Sequence, residues 1–457
     1  MAEFDLVVIG AGPGGVAAAI RGAQLGASVA IIEQGQWGGL CLNQACIPTK
    51  FLAAAAERLE TSPLASGEGE KGGEALDLSA LWSRKDELTA YFSMGTKGLL
   101  ASNGIELIQA CGRLAGPGKV AAGEDVLSAK AVIIACGGDW VPPAIPGGDL
   151  VGVISSSQFL AESELPRRAL VLGGGPWQLE LAQFLAAAGS EAAIVEEQAN
   201  ILPGWEEEIS QRLRAIINKP PLTIINRAQA KSFQKRGGQI QATLTTKEGE
   251  RRLTVDRVIY LSRRPRLEGL GLESAGLKDL SVDQRQATAA PEVFAVGDAT
   301  GQEGLSHLAS AQGVCAAENA LGGDARLDPR LVPRVAYTRP QAASVGLSEA
   351  QAEELGYPVL SGEAPMGVSP MAMIAGQSNG VIKVVGEEAY GEVLGVHMLA
   401  PVATEIIGLA ALALQMEATL EDLCQAAIPH PTIGESLVDA ARDALGWAIY
   451  QPRQARR

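Results

Sequence analysis

The apolar positions of this chain fall into two like series. Phe4 to Ile9 reads as a strand, interrupted only by Asp5, and feeds Gly10-Ala11-Gly12-Pro13-Gly14-Gly15. The Ala-rich stretch Val16 to Leu25 then reads as a helix, and Ser28 to Ile32 as a second strand that Glu33 ends. Strands covered on both faces read as near-continuous apolar runs, and a helix between two of them makes a βαβ unit. The same order recurs from Ala169: a strand to Leu172, a turn at Gly173-Gly174-Gly175, a helix over Leu179 to Ala188, and a strand over Glu191 to Val195 that Glu196 ends. After about Pro329 the pattern changes. Alternating apolar positions over Arg334 to Tyr337, Val381 to Val385 and Val393 to Met398 predict an antiparallel sheet, and helices are expected at Ala403 to Met416 and Glu435 to Ala448.

Punctuation divides these series. Pro142-Pro143 and Pro146-Gly147-Gly148 mark an interdomain hinge before the second unit, and Arg263-Arg264-Pro265 closes it. Val293 to Gly297 reads as a short buried strand ending in Asp298, and Ser66 to Gly73 as a mobile surface loop. The fold class is α/β: two Rossmann-like dinucleotide-binding domains followed by a C-terminal α+β domain.

Composition narrows the partners. The 457 residues allow two to four domains. A net charge of −15 argues against nucleic acid and anionic membranes. No apolar run reaches the length of a membrane span, and Met1-Ala2-Glu3 does not open a basic signal segment. Six cysteines in so long a chain are no disulfide scaffold, so a cytoplasmic protein is expected, where a close cysteine pair is catalytic or metal-binding.

The candidate chemistry sits on this frame. Gly10, Gly12 and Gly15 form G-x-G-x-x-G after a strand, which lets backbone approach a pyrophosphate at a helix start. Glu33 follows where a carboxylate binds ribose hydroxyls. Cys41 and Cys46 enclose four residues. Five positions apart on a regular helix their Cα atoms would be ~8.6 Å apart, beyond disulfide reach. A helix beginning near Cys46, with Pro48 in its first turn, would favour a thiolate there. Cys111, Cys136, Cys315 and Cys424 read as buried inert thiols. Of three histidines, His397 lies in a strand and reads as structural, whereas His430, in His430-Pro431-Thr432-Ile433-Gly434-Glu435, is the best general base, with Glu435 to orient it. Taken singly, Lys50 and Glu180 read as ordinary surface charges, and Asp298 as a strand-end turn residue.

Together the first fingerprint, the Gly38-Gly39-Leu40-Cys41-Leu42-Asn43-Gln44-Ala45-Cys46-Ile47-Pro48 segment and the His430 motif closely resemble the pyridine nucleotide-disulfide oxidoreductases, and within them the dihydrolipoamide dehydrogenases, from about Phe4 to Tyr450. The resemblance implies a redox disulfide between Cys41 and Cys46, with Cys41 exchanging with substrate and Cys46 against the flavin. It implies FAD on Gly10, Gly12, Gly14, Gly15, Glu33, Gly39, Lys50, Gly112, Asp298, Ser306 and His307. It implies NAD on Gly173, Gly175, Glu180, Glu196 and Ser262, with Glu196 disfavouring NADP, and a Lys50–Glu180 pair that tunes the flavin. It further implies a homodimer in which His430 serves the other subunit, and a lipoyl-bearing protein as partner; no metal is expected. The domains would be 1–145 with 266–330 for FAD, 146–265 for NAD and 331–457 for dimerisation. The expected reaction is oxidation of dihydrolipoyl groups coupled to NAD reduction. The alternatives are an NADH-dependent reductase of another disulfide, or a flavin-containing lipoyl-protein-binding subunit with weak NAD turnover.

Four positions depart from the family pattern near the disulfide and base or at the second site: Leu40 and Ala45 replace a threonine and a glycine, Ile428 a histidine, and Ser262 a glycine before Arg263. A fifth, Gln178, stands where the second fingerprint has glycine or alanine and predicts weak NAD binding. Pro176 and Trp177 fill positions at the nicotinamide entrance.

Overall fold

The computed structural model describes residues 2–65, 77–162 and 164–451; the loop expected at Ser66 to Gly73 lies outside the described residues. Glu3–Ile9 runs parallel between Val29–Glu33 and Asp125–Ile134, and Glu106–Gln109 and Val293–Ala295 extend the parallel part outward. Gly112–Leu114 and Lys119–Ala122 complete this seven-stranded sheet as antiparallel strands beyond Asp125–Ile134. The helix Pro13–Gln24 leaves the central strand directly.

The second unit repeats the plan. Arg168–Leu172 pairs in parallel with Glu191–Glu196 and Arg257–Tyr260, within a five-stranded sheet closed by Leu222–Asn226 and Val153–Ser155. The helix Pro176–Ala187 follows its first strand. Both fingerprint helices start three residues earlier than the apolar pattern predicts, because each has proline at its first position, where the missing N–H costs nothing and the fixed φ already suits the helix. A three-stranded antiparallel sheet, Gln229–Arg236, Gln239–Thr246 and Gly249–Val255, lies beside this unit. Gly138–Trp140 and Arg263–Pro265 pair antiparallel where the chain enters and leaves it.

The C-terminal sheet is antiparallel as expected, in the order Arg334–Ala336, Gln341–Gly346, Val393–Ala400, Val381–Glu387, Val359–Pro365. The expected alternation of core and solvent positions does not hold for two of its three inner strands, Val381–Glu387 and Val393–Ala400, which are buried along their whole lengths. Helices Ala403–Gln415 and Gly434–Ala444 lie on them, and Glu207–Ile217 of the second unit reaches them as well, so neither strand keeps a solvated face.

Candidate active site

The first fingerprint is shaped by close approach. Gly10 has φ +104°, a conformation that favours glycine, and a side-chain carbon on it would strike the Ala135 carbonyl. A side-chain carbon at Gly15 would collide with the carbonyl of Gly10, and one at Gly14 would come within 2.9 Å of Val296. At Gly12, by contrast, nothing lies within 4 Å of where a side chain would begin. That open side faces a cavity of about 570 Å³ lined by Gly10, Gly12, Gly14 and Glu33. Glu33 holds the loop closed: its Oε2 accepts from the Ala11 N–H at 2.7 Å and its Oε1 from Gly35 N–H at 2.7 Å. A glycine cradle at a helix start with a carboxylate beside it fits the pyrophosphate and ribose of FAD.

The same cavity reaches the thiols. Gly39, Cys41, Cys46, Gly112, Asp298 and Ser306 line it. Cys41 belongs to the short helix Gly39–Gln44, and Cys46 begins the helix Cys46–Ala65; Ala45, with φ −138° and ψ −98°, breaks the backbone between them. The break brings the two sulfurs together, as a continuous helix would not. The pair is present as thiols. The Cys41 thiol donates to Cys46, and the Ser306 hydroxyl lies 3.0 Å from the Cys46 sulfur. These two donors, with the Lys50 ammonium nearby, outweigh burial and hold Cys46 down to about 6, so it is a thiolate at neutral pH. Cys41 is pushed up by the adjacent Cys46 and by burial.

Behind the thiols, Lys50 Nζ meets Glu180 Oε2 at 2.6 Å; the Glu180 side chain is 1% exposed, and its Oε1 accepts from the Tyr337 N–H at 2.9 Å. Glu180, from the second unit's helix, therefore faces the thiol helix. The Lys50 ammonium also stands 4.9 Å from the centre of the Tyr337 ring. Tyr337 belongs to the C-terminal domain, and no motif in the sequence points to it. Asp298 forms an ion pair with Arg263, whose guanidinium carbon lies 5.7 Å from the centre of the Trp140 ring and 5.0 Å from that of Trp177. The Arg263-Arg264-Pro265 punctuation was the one signal for this cation.

Other expected residues sit elsewhere. His307 is exposed, with Nε2 2.6 Å from the Pro333 carbonyl, and it does not line the cavity. Ser262 is exposed, and its carbonyl accepts from Val141 N–H. His430, its side chain 67% exposed, donates from Nδ1 to Glu435 Oε1 at 2.9 Å, and Glu435 Oε2 accepts from Thr432 N–H at 2.8 Å. The imidazole is thus oriented with Nε2 free to take a proton, but it does not line its own chain's cavity. His397 is buried and structural: Nε2 donates to the Leu347 carbonyl, so Nδ1 accepts from Ser344, and burial holds its pKa down. Cys315 and Cys424 are buried thiols, as expected. Cys111 is a correction: it is exposed and borders the cavity, because it immediately precedes Gly112 at the sheet's rim. Cys136 is half-buried on the same cavity and donates to the Arg266 carbonyl; burial raises it to about 12, which keeps it an inert thiol.

In the second unit, Gly173 has φ +93°, and Glu196 accepts from Gly174 N–H at 2.6 Å and Gln198 N–H at 2.7 Å. These are the counterparts of Gly10, Glu33, Ala11 and Gly35, and they fit a second dinucleotide. No described helix is long and apolar enough to cross a membrane, and no metal-binding cluster occurs among the described residues.

Comparison with known proteins agrees with this geometry. Residues 4–313 match the pyridine nucleotide-disulphide oxidoreductase model, and residues 332–441 match the dimerisation domain of the same family. The dihydrolipoyl dehydrogenase of Thermus scotoductus is 40% identical, covering 98% of this chain and 99% of its own. That of Bacillus subtilis is 34% identical over 98% and 99%. Among solved structures, LpdA from Mycobacterium tuberculosis aligns with a TM-score of 0.88 at 25% identity, over 97% of this chain and 99% of its own. The HOCl-induced flavoprotein disulfide reductase RclA from Escherichia coli aligns at 0.83 and 26%, over 96% and 99%. The chain belongs to the pyridine nucleotide-disulphide oxidoreductase family.

Proposed function

We propose that this chain is an FAD-dependent dihydrolipoyl dehydrogenase that oxidises protein-bound dihydrolipoyl groups and reduces NAD. The carrying observation is the thiol pair itself: Cys46, held as a thiolate by Cys41, Ser306 and Lys50, opens on the cavity that the first fingerprint shapes. In the resting enzyme Cys41 and Cys46 form a disulfide. A dihydrolipoyl thiolate attacks the Cys41 sulfur, forming a mixed disulfide, and Cys46 leaves as a thiolate. The second substrate thiol then attacks its own sulfur partner, closes the lipoyl ring and releases Cys41 as a thiol. His430 of the partner subunit removes the substrate thiol proton, oriented by Glu435. The two protein thiols now hold the electron pair. Bound FAD and NAD supply the remaining two-electron chemistry, as acceptors of that pair in turn. Lys50, fixed by Glu180, places a positive charge beside Cys46.

The working unit is a homodimer, in keeping with the dimerisation domain. The proposed domains are 1–145 with 266–330, 146–265 and 331–457, a division that the three main sheets support. A lipoyl-bearing protein is the natural partner, its neutral disulfide ring unaffected by the acidic surface, and the cytoplasm the natural compartment. The test is rapid-mixing reduction of the purified flavoprotein, first by dihydrolipoamide and then by NADH. Prompt reduction by dihydrolipoamide, with NAD reduced in steady state, is expected. Reduction by NADH with no response to dihydrolipoamide would assign the protein to another disulfide substrate instead.

A further inference from the structure

We propose that Gln178 is a latch: its carboxamide occupies the phosphate seat of the second nucleotide site and sets the affinity for NAD(H). The inference rests on the NAD reading of that site and deepens it.

The two glycine loops of the chain provide the comparison. Each begins with a glycine at positive φ, Gly10 at +104° and Gly173 at +93°, and each is closed by a carboxylate, Glu33 or Glu196, that accepts from the next residue's N–H. Gly12 and Gly175 are therefore equivalent, each the N-cap of its fingerprint helix. At Gly12 the space where a side chain would begin is empty to 4 Å, as a seat for a pyrophosphate must be. At Gly175 the same space holds Gln178 Oε1, 2.9 Å away, and the corresponding point at Gly173 has Gln178 Nε2 at 3.0 Å. The side chain folds back across the loop and lays its amide over both glycines.

Gln178 also occupies the position of Gly15, where a side-chain carbon would strike the Gly10 carbonyl. Two obstacles are thus distinguishable: the Cβ, which crowds helix against strand, and the carboxamide, which fills the seat. The carboxamide makes no hydrogen bond to another side chain or backbone group among the described residues. Nothing but position holds it, so rotation of its own side chain suffices to clear the seat. Glu180, two residues on, is pinned to Lys50 and Tyr337 and need not move. Nucleotide binds only to the open arrangement, and the apparent dissociation constant is raised by the inverse of the open fraction.

The test measures binding rather than turnover, on the FAD-loaded protein, with NADH and with ADP-ribose, which shares the pyrophosphate but lacks nicotinamide. Titration calorimetry on Gln178→Ala should show both ligands bound on the order of tenfold tighter, an open fraction of roughly one tenth in the wild type. Gln178→Gly should gain about as much as Gln178→Ala, and Gln178→Glu, which puts an anion in the seat, should weaken both ligands. Flavin content and thermal unfolding report whether each variant is intact. A gain in Gln178→Gly alone would assign the effect to Cβ crowding and overturn the latch. So would a gain for NADH without ADP-ribose, which places the effect at the nicotinamide end, or wild-type affinity unchanged in every variant. If neither wild type nor variants bind either ligand while dihydrolipoamide still reduces the flavin, the NAD reading falls and the latch with it.

Discussion

At the scale of single residues, Cys46 carries the most consequence. Its pKa is lowered, so its thiolate is present above about pH 6 and lost as pH falls through that value. The donors responsible are identifiable: Cys41 first, then Ser306 at 3.0 Å. In the two-electron-reduced flavoprotein, the long-wavelength absorbance of a thiolate against flavin should titrate with a midpoint near 6. Ser306→Ala should move that midpoint upward, and Cys41→Ser, but not Cys46→Ser, should show the band in the resting protein. A midpoint near an ordinary thiol, ~8.5, would remove the stabilised thiolate from the mechanism. The helix start near Cys46 was legible from Pro48, and the pairing of Cys41 with Cys46 from the family resemblance. That Ser306 bonds the sulfur was not, because a serine carries no pattern of its own and only the fold brings residue 306 to residue 46.

At the scale of elements, glycines did the predicting. Strand, glycine turn, helix and acid were readable twice over, since each requirement is local and fixed by backbone sterics. The antiparallel sheet over Gln229–Val255 carried no comparable signal: its strands are short of apolar positions, and its first two join at Gly237-Gly238, a pair that marks a turn but not its partners. The burial of Val393–Ala400 on both faces was equally hidden, because a helix from the second unit supplies part of the cover. The glycine argument makes a paired prediction. Gly15→Ala should destabilise the flavin-free protein, since its new carbon meets the Gly10 carbonyl and overpacking costs about 1–3 kcal/mol. Gly12→Ala should leave flavin-free stability nearly unchanged, because the space is empty, yet intrude on the cradle and lower flavin retention. Thermal unfolding without flavin, and the flavin-to-protein ratio after purification, separate the two. Equal unfolding temperatures would show that the loop relaxes around either side chain.

At the scale of the whole molecule, the units are tied by charge as well as by packing. Lys383, on the C-terminal sheet, is buried between Glu349 at 2.5 Å and Glu206 of the second unit at 3.1 Å. A buried cation held by carboxylates from both units fixes their register, since separating them would leave a desolvated charge. The expected base is also absent from the site that a single chain builds. His430 is oriented by Glu435 yet exposed, and it lies off the cavity that holds Cys46. The C-terminal domain leaves Leu409, Leu412, Met416, Trp447 and Ile449 exposed, large apolar side chains of the kind that association covers. If His430 works across that association, His430→Gln should lower dihydrolipoamide turnover by about 10²–10⁴-fold, the range for a lost general base, with flavin binding intact. Cys46→Ser should be inactive for want of the thiolate. Mixed dimers of the two variants should regain one working site, formed by the thiols of the His430→Gln subunit and the imidazole of the Cys46→Ser subunit. A base acting within its own chain would leave both sites of the mixed dimer broken, and no activity would return.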